Sequence, residues 1–405
     1  MTIFSRFLPS LLLLAAACGS TIEEERPVSG TVVDRAGAPV VFTHVKIGDS
    51  VTNTDTAGHF TVNDVPGTYD VAIGGSTLTI PNVYLGMSTR TPLFRVFGIV
   101  NPTGIESATV KVTLPSADTA TLQSIVFLDL LPDDLAWGEY THVRTSDPWQ
   151  VQWRDAPAVT ARFYAFQAQL DAGRNIVHYV GFDTIDLNLS DGSTATWNVS
   201  WKPPTFAEKT VTAPASGPSG AIAWQATLFM HLGPHGEGIL TTQSGASPSF
   251  SFVVPDLDGA RFAISPHSED EDGSSVGAVI PGLTAGTTSP LFHIDPAPDL
   301  IAPAIGAVIT PGAPLRWTSN ANTATFFQLA TEPYVFIFGG QDVDATFPDL
   351  GPLGVELSPG AAAVAVAQEG LATTVDQIAA QGFGALFADQ PFSSGDSPFH
   401  DVTIP

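Results

Sequence analysis

Apolar and polar residues trade places at every second position along much of this chain, in short runs that stop at glycine or proline. Ala195, Trp197, Val199 and Trp201 alternate with Thr194, Thr196, Asn198 and Ser200, and Trp224, Ala226, Leu228 and Met230 share one side of a later run. A period of two places each set on one face of a strand. Residues 108–114, 159–170 and 361–367 alternate in the same way, and 125–130 reads as a buried strand. One stretch, 373–381, predicts a single short helix. With 37 glycines and 33 prolines to punctuate the runs, the pattern predicts an all-β chain of tandem β-sandwich domains.

The corners carry turn chemistry, most densely near the start. Val28-Ser29-Gly30-Thr31-Val32-Val33-Asp34 leads into Ala36-Gly37-Ala38-Pro39-Val40, and Thr54-Asp55-Thr56-Ala57-Gly58-His59-Phe60 leads into Val65-Pro66-Gly67-Thr68-Tyr69-Asp70-Val71. Strand, glycine-proline turn, strand, Asp-x-x-Gly turn, strand, Pro-Gly turn, strand is a series of hairpins. These motifs, over about 28–75, resemble the carboxypeptidase regulatory-like domain. The resemblance implies a small transthyretin-like sandwich, ending near residue 97, that is a non-catalytic accessory. Asp55 is expected to cap the turn around Gly58 rather than to bind calcium.

Residues 98–201 predict a second sandwich, which holds five of the seven tryptophans: Trp137, Trp149, Trp153, Trp197 and Trp201. Flat rings on a sandwich either fill its core or stack on sugar faces. Trp149 and Trp153 follow a polar Asp147-Pro148 approach and are interleaved with Gln150, Gln152 and Arg154, so they are the candidate glycan-binding pair. Lys202-Pro203-Pro204 and the Pro-Gly-Ser stretch at 213–220 interrupt the pattern. A third sandwich is expected over 202–300 and a fourth over 301–405. Pro255-Asp256-Leu257 before Ser265-Pro266 recurs as Pro348-Asp349-Leu350 before Ser358-Pro359. With an early strand bearing Trp317, this order resembles fibronectin type III and other immunoglobulin-like modules.

The amino terminus has another character. Arg6 precedes an apolar run at 7–17 that closes on Ala15, Ala16 and Ala17 before Cys18, the only cysteine. The run is about half the ~20 apolar residues a spanning helix needs, so it reads as a cleaved signal peptide over 1–17. Leu14-Ala15-Ala16-Ala17-Cys18 resembles a bacterial lipobox. That resemblance implies a lipid on Cys18, a short tether over 18–27 and, with Gly19 following, a place on the outer membrane. The same residues also read Ala-x-Ala, which leaves ordinary cleavage after Ala17 and a free Cys18 thiol open.

Charge narrows the partners. A formal net charge of −25 repels phosphate backbones and argues against nucleic acid. Chemistry-bearing motifs are sparse. Gly273-Ser274-Ser275-Val276-Gly277 fits the serine-hydrolase pattern but follows Glu269-Asp270-Glu271-Asp272 with no helix after it, whereas that pattern works only as a strand-to-helix turn. His231, His235 and Glu237 surround Gly233-Pro234, which precludes a shared helical face. The acidic run lacks the ligand spacing of an EF-hand loop. No P-loop, dinucleotide fingerprint or Cys-x-x-Cys pair occurs, so no catalytic residue, metal or cofactor is implied. The expected role is structural or binding, with envelope proteins or glycans as partners and a membrane held through Cys18. The alternatives are an extracytoplasmic hydrolase with accessory sandwiches, or a glycan-binding module using Trp149 and Trp153.

Overall fold

The computed structural model describes residues 25–34, 37–96, 105–115, 118–131, 138–141, 148–154, 156–218, 223–233, 236–319, 325–368, 374–382 and 390–405. Strands dominate throughout, and the chain is all-β. Its first corner forms as its residues demand. The N–H groups of Ala57 and His59 donate to Asp55 Oδ1 at 2.8 and 2.9 Å, and Gly58 takes a φ of 75°. A Cβ on Gly58 would stand 2.5 Å from the Val32 carbonyl oxygen, so only glycine fits this turn. Around it, Arg26–Val33 pairs antiparallel with His59–Val65 and parallel with Leu93–Arg95.

The strands do not sort into four separate sandwiches. Thirteen of them form one sheet in which Gly236–Gly245, Trp224–Leu232, Arg261–Glu269 and Ser275–Leu283 adjoin Phe392–Asp396 and Gly360–Gln368. It continues through Thr325–Ala330, Val335–Gly339, Asn82–Met87, Tyr69–Gly74 and His44–Ile47 to Ser50–Asn53, with His400–Ile404 pairing off Gly360–Gln368. Segments 28–97, 202–300 and 301–405 thus share strand edges. At one join Asn82–Met87 runs parallel to Val335–Gly339, with Val83 opposite Ile337 and Tyr84 opposite Phe338. Both faces of that join are buried. Tyr84 and Phe338, stacked 5.1 Å apart, belong to a core beneath the small sheet of Arg26–Val33. Val83, Leu85 and Ile337 belong to another, closed on the far side by Trp317 and Leu315.

A second sharing device lies in the sheet of Leu122–Leu131, Ala158–Leu170 and Ile176–Ser190. Along Ala158–Leu170 the buried positions are Val159, Ala161, Phe163 and Ala165, then Phe166, Ala168 and Leu170. The buried face switches between Ala165 and Phe166 because successive side chains point oppositely. The first set packs with Trp149, Trp153 and Trp197, the second with Trp224, Leu228 and Phe252 of the next sandwich. One strand therefore serves two cores.

Polar groups fasten the remaining seams. Arg154 Nη1 lies 2.6 Å from Asp34 Oδ2, with both side chains buried, which ties the first sandwich to the second. Gln368, wholly buried, accepts from Ser319 Oγ at 2.5 Å and donates to the Pro296 carbonyl at 3.0 Å. The predicted helix forms at Val375–Gln381 with a capping box between Thr374 and Gln377. Its Asp376 accepts from Ser88 Oγ at 2.7 Å, and Arg95 Nε donates to the Ala380 carbonyl at 3.1 Å, so it pins the fourth segment to the first. The four major cores are linked in a closed cycle: first to second, second to third, third to fourth, fourth to first. The Pro-Asp-Leu echo does not repeat in three dimensions. Ser265 and Pro266 lie within the strand Arg261–Glu269, whereas Pro348-Asp349-Leu350 leads into a 3₁₀ turn at Gly351–Leu353 and Ser358-Pro359 precedes a strand.

Removing one member of a buried ion pair strands the other. Arg154→Ala is expected to cost about 3–5 kcal/mol in reversible denaturant unfolding, against about 1 kcal/mol or less for breaking the exposed Arg316–Asp344 pair.

Candidate functional site

Trp149, Val151 and Trp153 fall on the inward face of one strand, with Gln150 and Gln152 on the other. Both tryptophans are buried, at 1% and 0% exposure. Trp149 meets Phe163 edge-on at 5.7 Å, and Trp153 Nε1 donates to the Ala156 carbonyl at 2.9 Å. This corrects the expectation of a glycan platform on this pair: stacking on a sugar needs an open ring face, and the neighbouring sheet covers these. The glutamines that made the approach look polar belong to the opposite side of the same pleat.

The serine-hydrolase pattern lies in a hairpin. Gly273 turns with a φ of 83°, Asp272 accepts from the Ser274 N–H and hydroxyl at 2.9 and 2.7 Å, and Ser275 starts a regular strand opposite Glu269 and Asp396. Ser275 Oγ donates to Asp396 Oδ2 at 3.0 Å and receives the Asp396 N–H at 3.2 Å. Its hydroxyl is engaged in joining two strands, without the strained elbow that would present it to a substrate. Burial pushes the Asp396 carboxyl up, opposed by the Ser275 hydrogen bond. His231 sits in a strand between Glu237 and Arg261, and His235 lies outside the described residues, as does Cys18. Among the described residues no group of three or more His, Cys, Asp or Glu is arranged to hold a metal ion.

A groove of about 390 Å³ lies on the first sandwich between the turns at Gly48 and Pro66, lined in part by Asp49, Asn63, Asp64 and Asp70. Asp70 Oδ1 accepts from the Gly86 N–H at 2.8 Å, and the Tyr69 hydroxyl donates to the Thr89 carbonyl. Burial, then the Asp376 charge, lifts that phenol to about 12 even with the Arg90 cation beside it, so it stays a neutral donor. The groove is an acidic surface feature whose polar groups brace the turns around it.

What the sequence did not reveal is where the buried charges go. Asp34 and Arg154 lie 120 positions apart, and neither belongs to a motif. Asp183 on Ile176–Ser190 accepts from Lys202 Nζ at 2.8 Å and from the Ser200 N–H at 2.9 Å. Burial opposes its ionisation, but the ammonium and the N–H outweigh it and hold the carboxyl below its usual range.

No protein-family model matches this chain, and no curated protein matches it. Among solved structures it is similar to the Bacillus anthracis TIE protein, at 9% identity over 66% of this chain and a TM-score of 0.16; the match spans half of that protein. It is also similar to BcpA, the major pilin subunit of Bacillus cereus, at 8% identity over 68% of this chain and all of the other, TM-score 0.16. A streptococcal ancillary pilin gives 10% identity over 66% of this chain and 98% of the other, TM-score 0.16. Scores this low do not superpose one architecture on another, so the fold assignment rests on this chain's own sheets.

Asp183 and Asp396 should respond to pH with opposite sign. The stabilisation from Asp183, whose folded value is depressed, is complete above the unfolded carboxylate value of about 4 and is lost as pH falls through the folded value. In thermal melts at stepped pH, the deficit of Asp183→Asn should therefore shrink toward acid. Asp396 is raised, so its benefit is complete at low pH and lost as pH rises; Asp396→Asn should gain stability at neutral pH and lose that gain on acidification.

Proposed function

We propose that this chain is a lipid-anchored protein of the bacterial cell envelope with a structural or binding role and no catalysis of its own. The observation that carries this reading is that one sheet crosses three of the segments, while Arg154–Asp34 and the strand Ala158–Leu170 tie in the remaining one. Ligand-gated or catalytic devices draw on elements of low local stability, whereas here the polar groups at the seams are spent on fastening: the buried Asp34 to Arg154 and Gln368 to Ser319 and Pro296, and the more exposed Asp376 to Ser88. The lipobox-like Cys18 supplies the anchor and the outer membrane its site. The first sandwich takes the accessory role of the carboxypeptidase regulatory-like domains it resembles, and the exposed loops and sheet faces of the later segments meet envelope proteins or glycans. No helix among the described residues is long and apolar enough to cross a membrane.

Mass spectrometry of the mature amino terminus is expected to find a diacylglyceryl group on Cys18, with Cys18→Ala moving the protein to the soluble fraction. An unmodified terminus, or a variant that still sediments with membranes, overturns the anchor. Calorimetry of the full chain tests the welding separately: shared cores predict one cooperative transition, and several transitions that shift independently on mutation would refute it.

A further inference from the structure

The strand Arg26–Val33 is the first element described after the proposed anchor at Cys18, and it is bonded along both edges. On one side it pairs with His59–Val65 from Arg26 to Thr31, and the Val32 N–H adds a bond to the Gly58 carbonyl at 2.9 Å. On the other, the Ser29 and Thr31 N–H groups donate to the Arg90 and Pro92 carbonyls, both at 3.0 Å, and Thr31, Val32 and Val33 run parallel to Leu93, Phe94 and Arg95. Side chains add to the ladder: Ser29 Oγ meets Thr61 Oγ1 at 3.0 Å, and Thr31 Oγ1 meets His59 Nδ1 at 2.9 Å. Val28 and Val32 are buried in the core beneath.

Register fixes where this strand begins. Arg26 stands opposite Val65, and the chain then turns at Pro66-Gly67 into Tyr69, which pairs with Met87. Asn82–Met87 runs beside Val335–Gly339, and Gly339 pairs with Thr325, which in turn pairs with Gln368. Arg26 therefore lies at one end of the thirteen-stranded sheet, while Ala330, Ala363 and Gly360 lie at the other. Hydrogen bonds between strands lie across the strand direction. A pull along Arg26–Val33, toward the far end of the sheet, strains all of them together. A pull across it strains the first bond before the next.

The strain is not confined to the first sandwich. Its core is completed by Phe326, Phe338, Ala367, Val375, Ile378 and Ala379 of the last segment. Arg95, in the strand parallel to Arg26–Val33, donates to the Ala380 carbonyl at 3.1 Å, and Asn82–Met87 is bonded to Val335–Gly339. A first sandwich closed on itself would yield alone, whereas this one passes tension to residues of 325–381.

We infer that this chain holds tension between its anchor and a partner engaged at the opposite end of its largest sheet, with Arg26–Val33 in shear and the first and last segments yielding together. This deepens the structural role and rests on the anchor at Cys18, but its mechanics are measured without the lipid.

The test pulls one fold in two directions. In the full chain carrying Cys18→Ala, which removes the only native thiol, Glu25→Cys is combined either with Ser358→Cys, before Gly360 at the far end, or with Asp342→Cys, opposite Thr318 at the end where Arg26 enters. All three positions are exposed, so both proteins should melt at the parent's temperature. Each is stretched through its two thiols in single-molecule force spectroscopy at the same speed. The unfolding force through 25 and 358 is expected to be roughly twofold or more above that through 25 and 342, because the first geometry strains the ladder as a whole and forced unfolding follows the rate along the pulled direction. The 25–358 pull should also release the chain between its handles in one step. Equal forces, or a lower force through 25 and 358, overturn the shear. An earlier, shorter step in which residues 25–97 come away alone overturns the coupling of first and last segments. The mass spectrum of Cys18 decides the anchor and not these forces, so the two readings fail separately.

Discussion

Every strand has two edges of backbone donors and acceptors, and a chain of this length built almost wholly of strands must dispose of a great many of them. The structure meets that constraint by joining segments along their edges. Where Asn82–Met87 lies beside Val335–Gly339, and Ser275–Leu283 beside Phe392–Asp396, two sandwiches that would each have ended in an open edge complete one another. The thirteen-stranded sheet is the accumulated result.

Edge sharing has a consequence for the faces. Where Asn82–Met87 meets Val335–Gly339, sheet packs on both sides of the join and the pleat is apolar above and below. Tyr84 and Phe338 fill the core on one side, Val83 and Ile337 the core on the other. The strands of the second sandwich reach a similar end by length. Ala158–Leu170 is long enough to leave one core and enter the next, and it changes its buried face at Ala165 and Phe166 as it does so. Cores that share strands cannot loosen one at a time, which is the physical content of calling this molecule one body.

Charge is handled on the same terms. With 40 acidic residues against 15 basic ones, most carboxylates have no basic side chain to pair with. Asp34, drawn inward, takes Arg154 across a seam, the half-exposed Asp376 takes the Ser88 hydroxyl across another, and the buried Asp183 is held by Lys202 and Ser200. Ser275, the residue with the most suggestive sequence context, is likewise occupied in bonding Asp396 between two strands. What such a body has left to offer a partner is its margins, the exposed loops and sheet faces.

The sequence by itself determined the class and the local pieces. A period of two is a property of each run alone, so the strands were legible, as were the Asp55–Gly58 turn and the capped helix after Thr374, whose signals lie within a few residues of one another. That Trp149 and Trp153 share one face was legible too, since they alternate strictly with Gln150 and Gln152, but which face met water was decided by the sheet packed above them. Only the tertiary structure decided which edges meet. Backbone hydrogen bonds are the same for every residue, so the pairing of Asn82–Met87 with Val335–Gly339, or of Asp34 with a distant Arg154, leaves no local mark in the chain. Such contacts are fixed by shape and burial once everything between them has folded.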